Sequence, residues 1–129
     1  MKILSRIFLT MIAFLFSFGI YSNTADAKAN IELTITEVNF SKGECYCAGY
    51  FENSGDSAGV VTDTQLDITF TDPNDRRIWF GSKYFGQVDC YVEAGERSDW
   101  QFFMHDEEIP EYYGQYNWNV NNQIWWNNL

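Results

Sequence analysis

The sequence predicts an all-β domain, an immunoglobulin-like sandwich of two antiparallel sheets with seven or eight strands. Three observations lead to this fold class. Apolar residues alternate with polar ones at period two, turn residues interrupt the alternation about every 8 to 15 residues, and no stretch keeps an apolar repeat at helical spacing. Short, half-buried strands of this kind close a core when two sheets pack face to face.

The first strand is predicted from Ile31, Leu33 and Ile35, which alternate. Val38 and Phe40 continue with the opposite parity, which indicates a bulge or a change of sheet within an edge strand. A second strand follows and ends at residues 53–56. Its predicted inward face carries Cys45, Cys47, Gly49 and Phe51, and its outward face carries Glu44, Tyr46, Tyr50 and Glu52.

The clearest half-buried pattern lies in the middle of the chain, where Leu66, Ile68 and Phe70 alternate with polar residues. The segment Asp72-Pro73-Asn74-Asp75 predicts a tight turn, because proline presets φ and an aspartate can accept backbone N–H bonds. The chain then returns through a strand over residues 78–85.

Four shorter segments complete the predicted fold. The turn at residues 93–96 joins the first two of them, and the acidic loop of residues 106–110 precedes the third. The segments are Val88 to Val92, Trp100 to Met104, Tyr116 to Val120 and Ile124 to Trp126.

Residues 1–27 are predicted to be a secretory signal peptide. Lys2 and Arg6 precede an apolar run over residues 7–16, and Ala25-Asp26-Ala27 supplies the small residues that a signal peptidase requires before Lys28. The apolar stretch, at roughly 14 residues, is shorter than the ~20 that cross a bilayer. We therefore expect a mature domain over residues 28–129 with no stable membrane insertion, located outside the cell, in the periplasm or in the cell envelope.

The charge of the chain restricts its partners. Its 129 residues carry 18 carboxylates against 8 basic side chains, a net charge of −10, and cleavage after Ala27 would remove two basic residues and one acidic residue. Such a field repels nucleic acid and anionic membrane surfaces. Cationic partners, divalent metal ions and neutral sugars remain compatible with it, and so does a charge that only keeps the domain soluble.

Aromatic residues are the one compositional excess, at 19% of the chain. A small core can hold about half of them, so alternation leaves several rings on the faces assigned to solvent. Exposed rings beside amides and carboxylates favour either a glycan or a protein partner, although a wide core with isolated surface rings explains them as well. The candidate binding residues are Tyr46, Tyr50, Trp79, Phe103 and Trp125.

Four segments resemble a known group of domains. Residues 47–55 read Cys-Ala-Gly-Tyr-Phe-Glu-Asn-Ser-Gly, residues 66–72 alternate and end in Asp72, residues 92–96 read Val-Glu-Ala-Gly-Glu, and residues 113–116 include Tyr113-Gly114 and Tyr116. Their order and spacing resemble the FxLYD and CARDB domains, immunoglobulin-like sandwiches exported by bacteria. The resemblance implies an extracytoplasmic accessory or interaction domain with no catalytic residues to transfer. Cysteine at an inward aliphatic position and the excess of tryptophan depart from the pattern.

The sequence offers little for catalysis or metal binding. His105, the only histidine, precedes Asp106, but neighbours in sequence need not form an acid–base pair in space. Asp72, Asn74 and Asp75 are weak calcium candidates, as is the acidic run of residues 106–111, but neither has the spacing of an EF-hand. We expect no enzyme activity and no cofactor.

The three cysteines, Cys45, Cys47 and Cys90, leave the disulfide pattern open. A Cys47–Cys90 bridge would stabilise the fold by about 4 kcal/mol in the chain-entropy model. The expected register, however, places Cys47 about 13 Å from the level of Cys90, at about 3.3 Å per residue, whereas bridged Cα atoms lie within about 7 Å. Free, buried thiols are the alternative that this register favours.

These observations predict an exported, non-catalytic binding or interaction domain. The first alternative is a carbohydrate-binding module that uses exposed aromatic rings. The second is a structural protein of the cell envelope. The partner, the oligomeric state and the source organism are left open by the sequence.

Overall fold

A computed structural model describes residues 27–129, so all of the predicted signal peptide except Ala27 lies outside the described residues. Within them the chain forms seven strands and no helix, which confirms the all-β prediction. In chain order the strands are β1 (Ile31–Ser41), β2 (Glu44–Asn53), β3 (Gly59–Thr71), β4 (Arg77–Phe85), β5 (Cys90–Val92), β6 (Arg97–His105) and β7 (Asn117–Asn128).

The strands form two antiparallel sheets with the topology of an immunoglobulin-like sandwich. The first sheet has the order β1-β2-β6. In the second, β3 is central, with β7 along one edge; along the other edge β5 pairs with residues 59–61 of β3 and β4 pairs with residues 64–71. These orders correspond to strands A-B-E and C′-C-F of the immunoglobulin fold.

The largest differences from the predicted strand extents are in β7 and β3. The segments predicted as separate strands at residues 116–120 and 124–126 are one strand, β7, which pairs with β3 along its full length. Strand β3 begins at Gly59, seven residues before Leu66. A register shift between Val61 and Asp63 interrupts the alternation there, and this irregularity concealed the first half of the strand from the sequence pattern.

The inward faces of the two sheets form one core, centred on Phe70. Its ring stacks on Phe40 of β1 with centroids 4.1 Å apart and on Trp79 of β4 with centroids 5.5 Å apart. Phe70 therefore joins the two sheets. The predicted change of parity in β1 is confirmed, because a register shift between Ile35 and Glu37 brings Val38 and Phe40 onto the inner side.

Asn53, the last residue of β2, is fully buried and holds the end of the sandwich together through four backbone groups. Its Oδ1 accepts hydrogen bonds from the N–H groups of Asn30 (3.0 Å) and Gly55 (2.9 Å). Its Nδ2 donates to the carbonyls of Ser57 (2.8 Å) and Val92 (3.1 Å). One amide thus fixes the start of β1, the β2–β3 loop and β5.

Replacing Asn53 by alanine is expected to lower the free energy of unfolding by about 2 kcal/mol or more, because buried backbone groups would lose their partners. In a domain of this size that corresponds to a fall in Tm of about 8 °C or more. Thermal unfolding followed by circular dichroism measures it. Asn39→Ala, at an exposed amide bonded to Glu37, is the matched control and should change stability by less than about 0.5 kcal/mol. Equal melting temperatures for the two variants would contradict this role for Asn53.

Candidate functional site

Three of the five candidate aromatic residues lie on the outer face of the first sheet. Tyr46 and Phe103 are directly opposite each other on β2 and β6, with ring centroids 5.1 Å apart. Tyr50 lies four residues further along β2, about 13 Å away. The guanidinium of Arg97 covers the Tyr50 ring at 3.9 Å, so this ring is engaged within the domain.

The prediction that Trp79 faces solvent is wrong. Phe70 pairs with Trp79 and Thr71 pairs with Arg77, so Ile78 is an extra residue in a bulge that reverses the parity of β4. Trp79 consequently points inward and is 5% exposed, and its indole N–H donates to Oδ2 of Asp106 at 3.1 Å. Gly81 makes room for the indole, since a Cβ at Gly81 would lie 2.1 Å from the Trp79 ring.

The same bulge turns other rings outward on the second sheet. Phe80 and Tyr84 of β4 are 46% and 53% exposed. Trp125 of β7 is half-buried, and its ring meets that of Tyr84 edge-on with centroids 5.9 Å apart. Trp125 therefore does reach the outer surface, as predicted, but on the sheet opposite Tyr46 and Phe103.

Polar side chains from three neighbouring strands fill the surface beside these rings. The register places Tyr84, Gln65 and Gln123 in one row, Ser82, Asp67 and Asn121 in the next, and Phe80, Thr69 and Asn119 in a third. We call this surface the amide face. It comprises Gln65, Asp67, Thr69, Phe80, Ser82, Tyr84, Asn119, Asn121, Gln123 and Trp125.

Hydrogen bonds between side chains hold part of the amide face in a fixed arrangement in the free protein. The Gln65 amide donates to Oγ of Ser82 at 2.8 Å, and the Ser82 hydroxyl in turn donates to the Asp67 carboxylate. At the edge of the face, a hydrogen bond with the Asp63 carboxylate raises the pKa of the Tyr84 phenol. Tyr84 therefore stays protonated and neutral at physiological pH. The guanidinium of Arg77 lies 5.3 Å from the centroid of the Phe80 ring.

A separate apolar groove of about 510 Å³ lies at the end of the first sheet. Phe103, which is 66% exposed, forms one side of it together with Tyr46. The other lining residues come from the paired ends of β1, β2 and β6: Asn39, Phe40, Ser41, Glu44, Cys45, Met104 and His105. The surface of the groove is mostly apolar, in contrast to the amide face, although Asn39, Ser41, Glu44 and His105 place polar groups at it.

The predicted aromatic site is thus divided among three places. Tyr46, Phe103 and Tyr50 lie on the outer face of the first sheet, Trp125 lies on the amide face, and Trp79 belongs to the core. Sequence reasoning missed Phe80 and Tyr84, because it placed the odd-numbered residues of β4 outside. Gly81 was the available signal, since a glycine within a strand often marks a place where a large side chain lies over the backbone.

The candidate catalytic and metal residues have structural roles in the described chain. Asp106 accepts the indole hydrogen bond of Trp79 and, through Oδ1, the N–H of Glu108 at 2.9 Å, while His105 is exposed at the end of β6. Oδ1 of Asp72 accepts the N–H groups of Asn74 and Arg76, both at 2.9 Å, as a turn-forming aspartate does. Within residues 27–129, no three His, Cys, Asp or Glu side chains converge closely enough to hold a metal ion.

The three cysteines are free and buried. Cys45 and Cys47 point inward from β2 opposite Met104 and Phe102, while Cys90 lies in the other sheet beside Val61. A hydrogen bond with Cys47, together with burial, raises the pKa of the Cys45 thiol, and burial raises that of Cys90. Cys45 and Cys90 are therefore poor nucleophiles at neutral pH.

Comparison with protein-family models gives no match to this chain. A search of curated proteins gives none either. Among the described residues, no helix has the length and hydrophobicity that a membrane span requires.

Proposed function

We propose that this protein is a non-catalytic binding domain that acts outside the cytoplasm and takes a neutral glycan on its amide face. One observation carries the proposal. Two rings that are about half exposed, Phe80 and Tyr84, lie at the margin of the outer face of the second sheet, beside amide, hydroxyl and carboxylate groups contributed by three adjacent strands.

The chemistry of the amide face matches that of a sugar. The apolar C–H face of a pyranose packs against an aromatic ring, and its hydroxyl groups both donate and accept hydrogen bonds. Amide side chains supply donors and acceptors together, and a carboxylate such as Asp67 can accept more than one hydroxyl. The exposed amides Asn119 and Asn121 lie on the same plane as the rings, as the register of β3 with β4 and β7 requires.

The charge of the protein favours a neutral ligand. The chain carries a net charge of −10, and Asp63 and Asp67 lie beside or within the amide face. An anionic polysaccharide would be repelled by this field, whereas an uncharged oligosaccharide would not. Neutral glycans are accordingly the ligand class to test first.

The cellular location belongs to the proposal and rests on the sequence. A signal peptide over residues 1–27 and the resemblance to the exported FxLYD and CARDB domains both support action in the cell envelope or outside the cell. A purely structural envelope protein would have no need of the ordered polar groups and exposed rings of the amide face.

A protein ligand at the first sheet is the second candidate. Phe103 is the most exposed ring within a strand, and the apolar groove beside it suits a side chain of a partner protein. This candidate predicts binding through Phe103 and Tyr46 instead of Tyr84.

Tyr84→Ala is expected to weaken glycan binding about thirtyfold, the effect of losing about 2 kcal/mol at a ring contact. Trp125→Ala should also weaken binding. The measurement is calorimetric titration with a panel of neutral gluco-, xylo-, manno- and galacto-oligosaccharides, with tryptophan fluorescence as a second readout.

Phe103→Ala is the matched control, because it removes an exposed ring from a strand on the opposite sheet. It should leave glycan affinity and Tm unchanged. If no oligosaccharide binds, or if Phe103→Ala and Tyr84→Ala weaken binding equally, the amide face is not the ligand site.

A further inference from the structure

The apolar groove at the end of the first sheet is lined by two kinds of group that together suit a cation. The rings of Tyr46 and Phe103 face each other across β2 and β6, with centroids 5.1 Å apart, and Phe103 is 66% exposed. Glu44, on the same outer face of β2 as Tyr46, is exposed and also lines the groove. The face of an aromatic ring attracts a cation through its quadrupole, and a carboxylate attracts it through its charge.

The other end of the same sheet face shows what one ring and one carboxylate of β2 can hold. Cζ of Arg97 lies 3.9 Å from the centroid of the Tyr50 ring, and Nη2 of Arg97 lies 3.6 Å from Oε2 of Glu52. Tyr50 and Glu52 are two residues apart in sequence and share the outer face of the strand. A guanidinium is therefore already bound by this pair of groups within the domain.

The groove repeats this arrangement at its own end of β2. Glu44 and Tyr46 are also two residues apart on the outer face, a separation of about 7 Å at about 3.4 Å per residue. The β6 residue opposite Glu44 is His105, whereas Arg97 lies eight residues away at the far end of β6. Strand β6 thus brings a second ring, Phe103, to the groove, where its other end brings an arginine.

We propose that the groove binds an arginine side chain of a partner protein, with the guanidinium against the rings of Tyr46 and Phe103 and beside the Glu44 carboxylate. The inference rests on the second candidate function, a protein ligand at the first sheet, and it names the chemistry of that ligand. It does not depend on the glycan proposal, because the amide face belongs to the second sheet.

The size and the apolar lining of the groove suit an arginine within a peptide segment. Its volume of about 510 Å³ lies within the range of about 300 to 1,000 Å³ that is usual for ligand pockets. The methylene stem of an arginine packs on apolar surface while its planar head stacks on an aromatic ring. Apolar neighbours of the arginine would contact Phe40 and Met104, which also line the groove.

The charge around the groove favours a basic segment. Asn39, which lines the groove, donates from Nδ2 to Oε2 of Glu37 at 2.7 Å, so a second carboxylate lies at the margin beside that of Glu44. The chain as a whole carries a net charge of −10. Such a field attracts a basic segment and speeds its association, whereas it repels an acidic one.

The first test uses acetylated and amidated heptapeptides that carry one central arginine between apolar residues, and the same peptides with citrulline in its place. Citrulline keeps the planar end of the side chain but lacks the charge. Each peptide is titrated into the ¹⁵N-labelled protein and followed by NMR. The arginine peptides should bind with a Kd below about 1 mM, with the largest shifts around Glu44, Tyr46 and Phe103. The citrulline peptides should bind about fivefold more weakly.

The second test assigns the contacts with three variants at exposed positions, whose Tm should be unchanged. Phe103→Leu keeps an apolar side chain but removes the ring, and it should weaken binding of the arginine peptides about fivefold. Glu44→Gln should weaken it about threefold. Glu32→Gln is the matched control, because it removes the same charge from the same sheet face at the level of Glu52, about 27 Å from Glu44 at about 3.4 Å per residue. It should leave the affinity unchanged.

The proposal is overturned if no arginine peptide binds with a Kd below about 1 mM, or if Glu32→Gln weakens binding as much as Glu44→Gln. Equal binding of the citrulline and arginine peptides at the groove would also overturn it, while leaving a protein ligand of other chemistry as the second candidate function. The glycan proposal fails or succeeds separately, since it is tested with oligosaccharides. Tyr84→Ala, on the other sheet, should leave the affinity for arginine peptides unchanged.

Discussion

Replacing Phe70 by alanine should lower the free energy of unfolding by about 3 to 5 kcal/mol, the largest loss expected from a single aliphatic or phenyl side chain in this domain. Phe70 is fully buried at the centre of β3 and contacts the rings of Phe40, Trp79 and Tyr116. Removing it opens a cavity between the two sheets that the surrounding rings cannot fill without shifting. Thermal or denaturant unfolding measures the loss, with a fall in Tm of about 12 °C or more.

Thr69→Ala is the neighbouring control. Thr69 lies on the outer face of β3, where its side chain is half-buried among Phe80 and Asn119, and its removal should cost less than about 1 kcal/mol. If Phe70→Ala and Thr69→Ala proved equally destabilising, the assignment of the two faces of β3 would be wrong.

Trp79→Ala should destabilise the domain by about 3 to 5 kcal/mol as well. The substitution removes a buried indole that stacks on Phe70, and it leaves the Asp106 carboxylate without the indole hydrogen bond. Glycan affinity, measured below the lowered Tm, should be unchanged because Trp79 does not reach the amide face. This expectation reverses the one that alternation in the sequence gave for the same residue.

Trp79→Phe separates packing from hydrogen bonding. It keeps most of the buried ring and loses only the N–H donor, so we expect a loss of about 1 to 2 kcal/mol, smaller than that of the alanine variant. A Trp79→Ala protein with unchanged Tm and weakened binding would contradict the inward position of this ring.

Much of the fold could be predicted from the sequence because its strands obey simple alternation. Leu66, Ile68 and Phe70 face the core as their spacing indicates, and the change of parity between Ile35 and Val38 correctly signalled a bulge. Alternation of apolar and polar residues gives the wrong strand face, or misses the strand, where a bulge falls in a segment without a clear repeat. The extra residue at Ile78 reversed the faces of β4, and the irregularity near Thr62 concealed the first half of β3.

The prediction of two separate strands where the structure has the single strand β7 was wrong for a different reason. Asn121 and Asn122 look like a turn because asparagine is common in turns, yet both residues are paired within a continuous strand. Pairing with a neighbouring strand outweighs the weak preference of individual residues, and local sequence does not report that neighbour.

The candidate site was harder to predict than the fold, since it depends on which strands become neighbours. Tyr46 and Phe103 are 57 positions apart in sequence, and only the register of β2 with β6 brings them into contact. The rows of the amide face likewise combine β3, β4 and β7. The same applies to Asn53, whose four hydrogen bonds reach three separate segments and give no local signature.

The most direct test of the binding proposal is to map the bound surface by NMR. The ¹⁵N-labelled protein would be titrated with the tightest-binding neutral oligosaccharide from the panel, and changes in amide and indole resonances recorded. The proposal predicts that the largest changes cluster on the outer face of β3, β4 and β7, around Tyr84, Asp67 and Asn121. Changes centred on Tyr46 and Phe103, or no change with any oligosaccharide at saturating concentration, would contradict it.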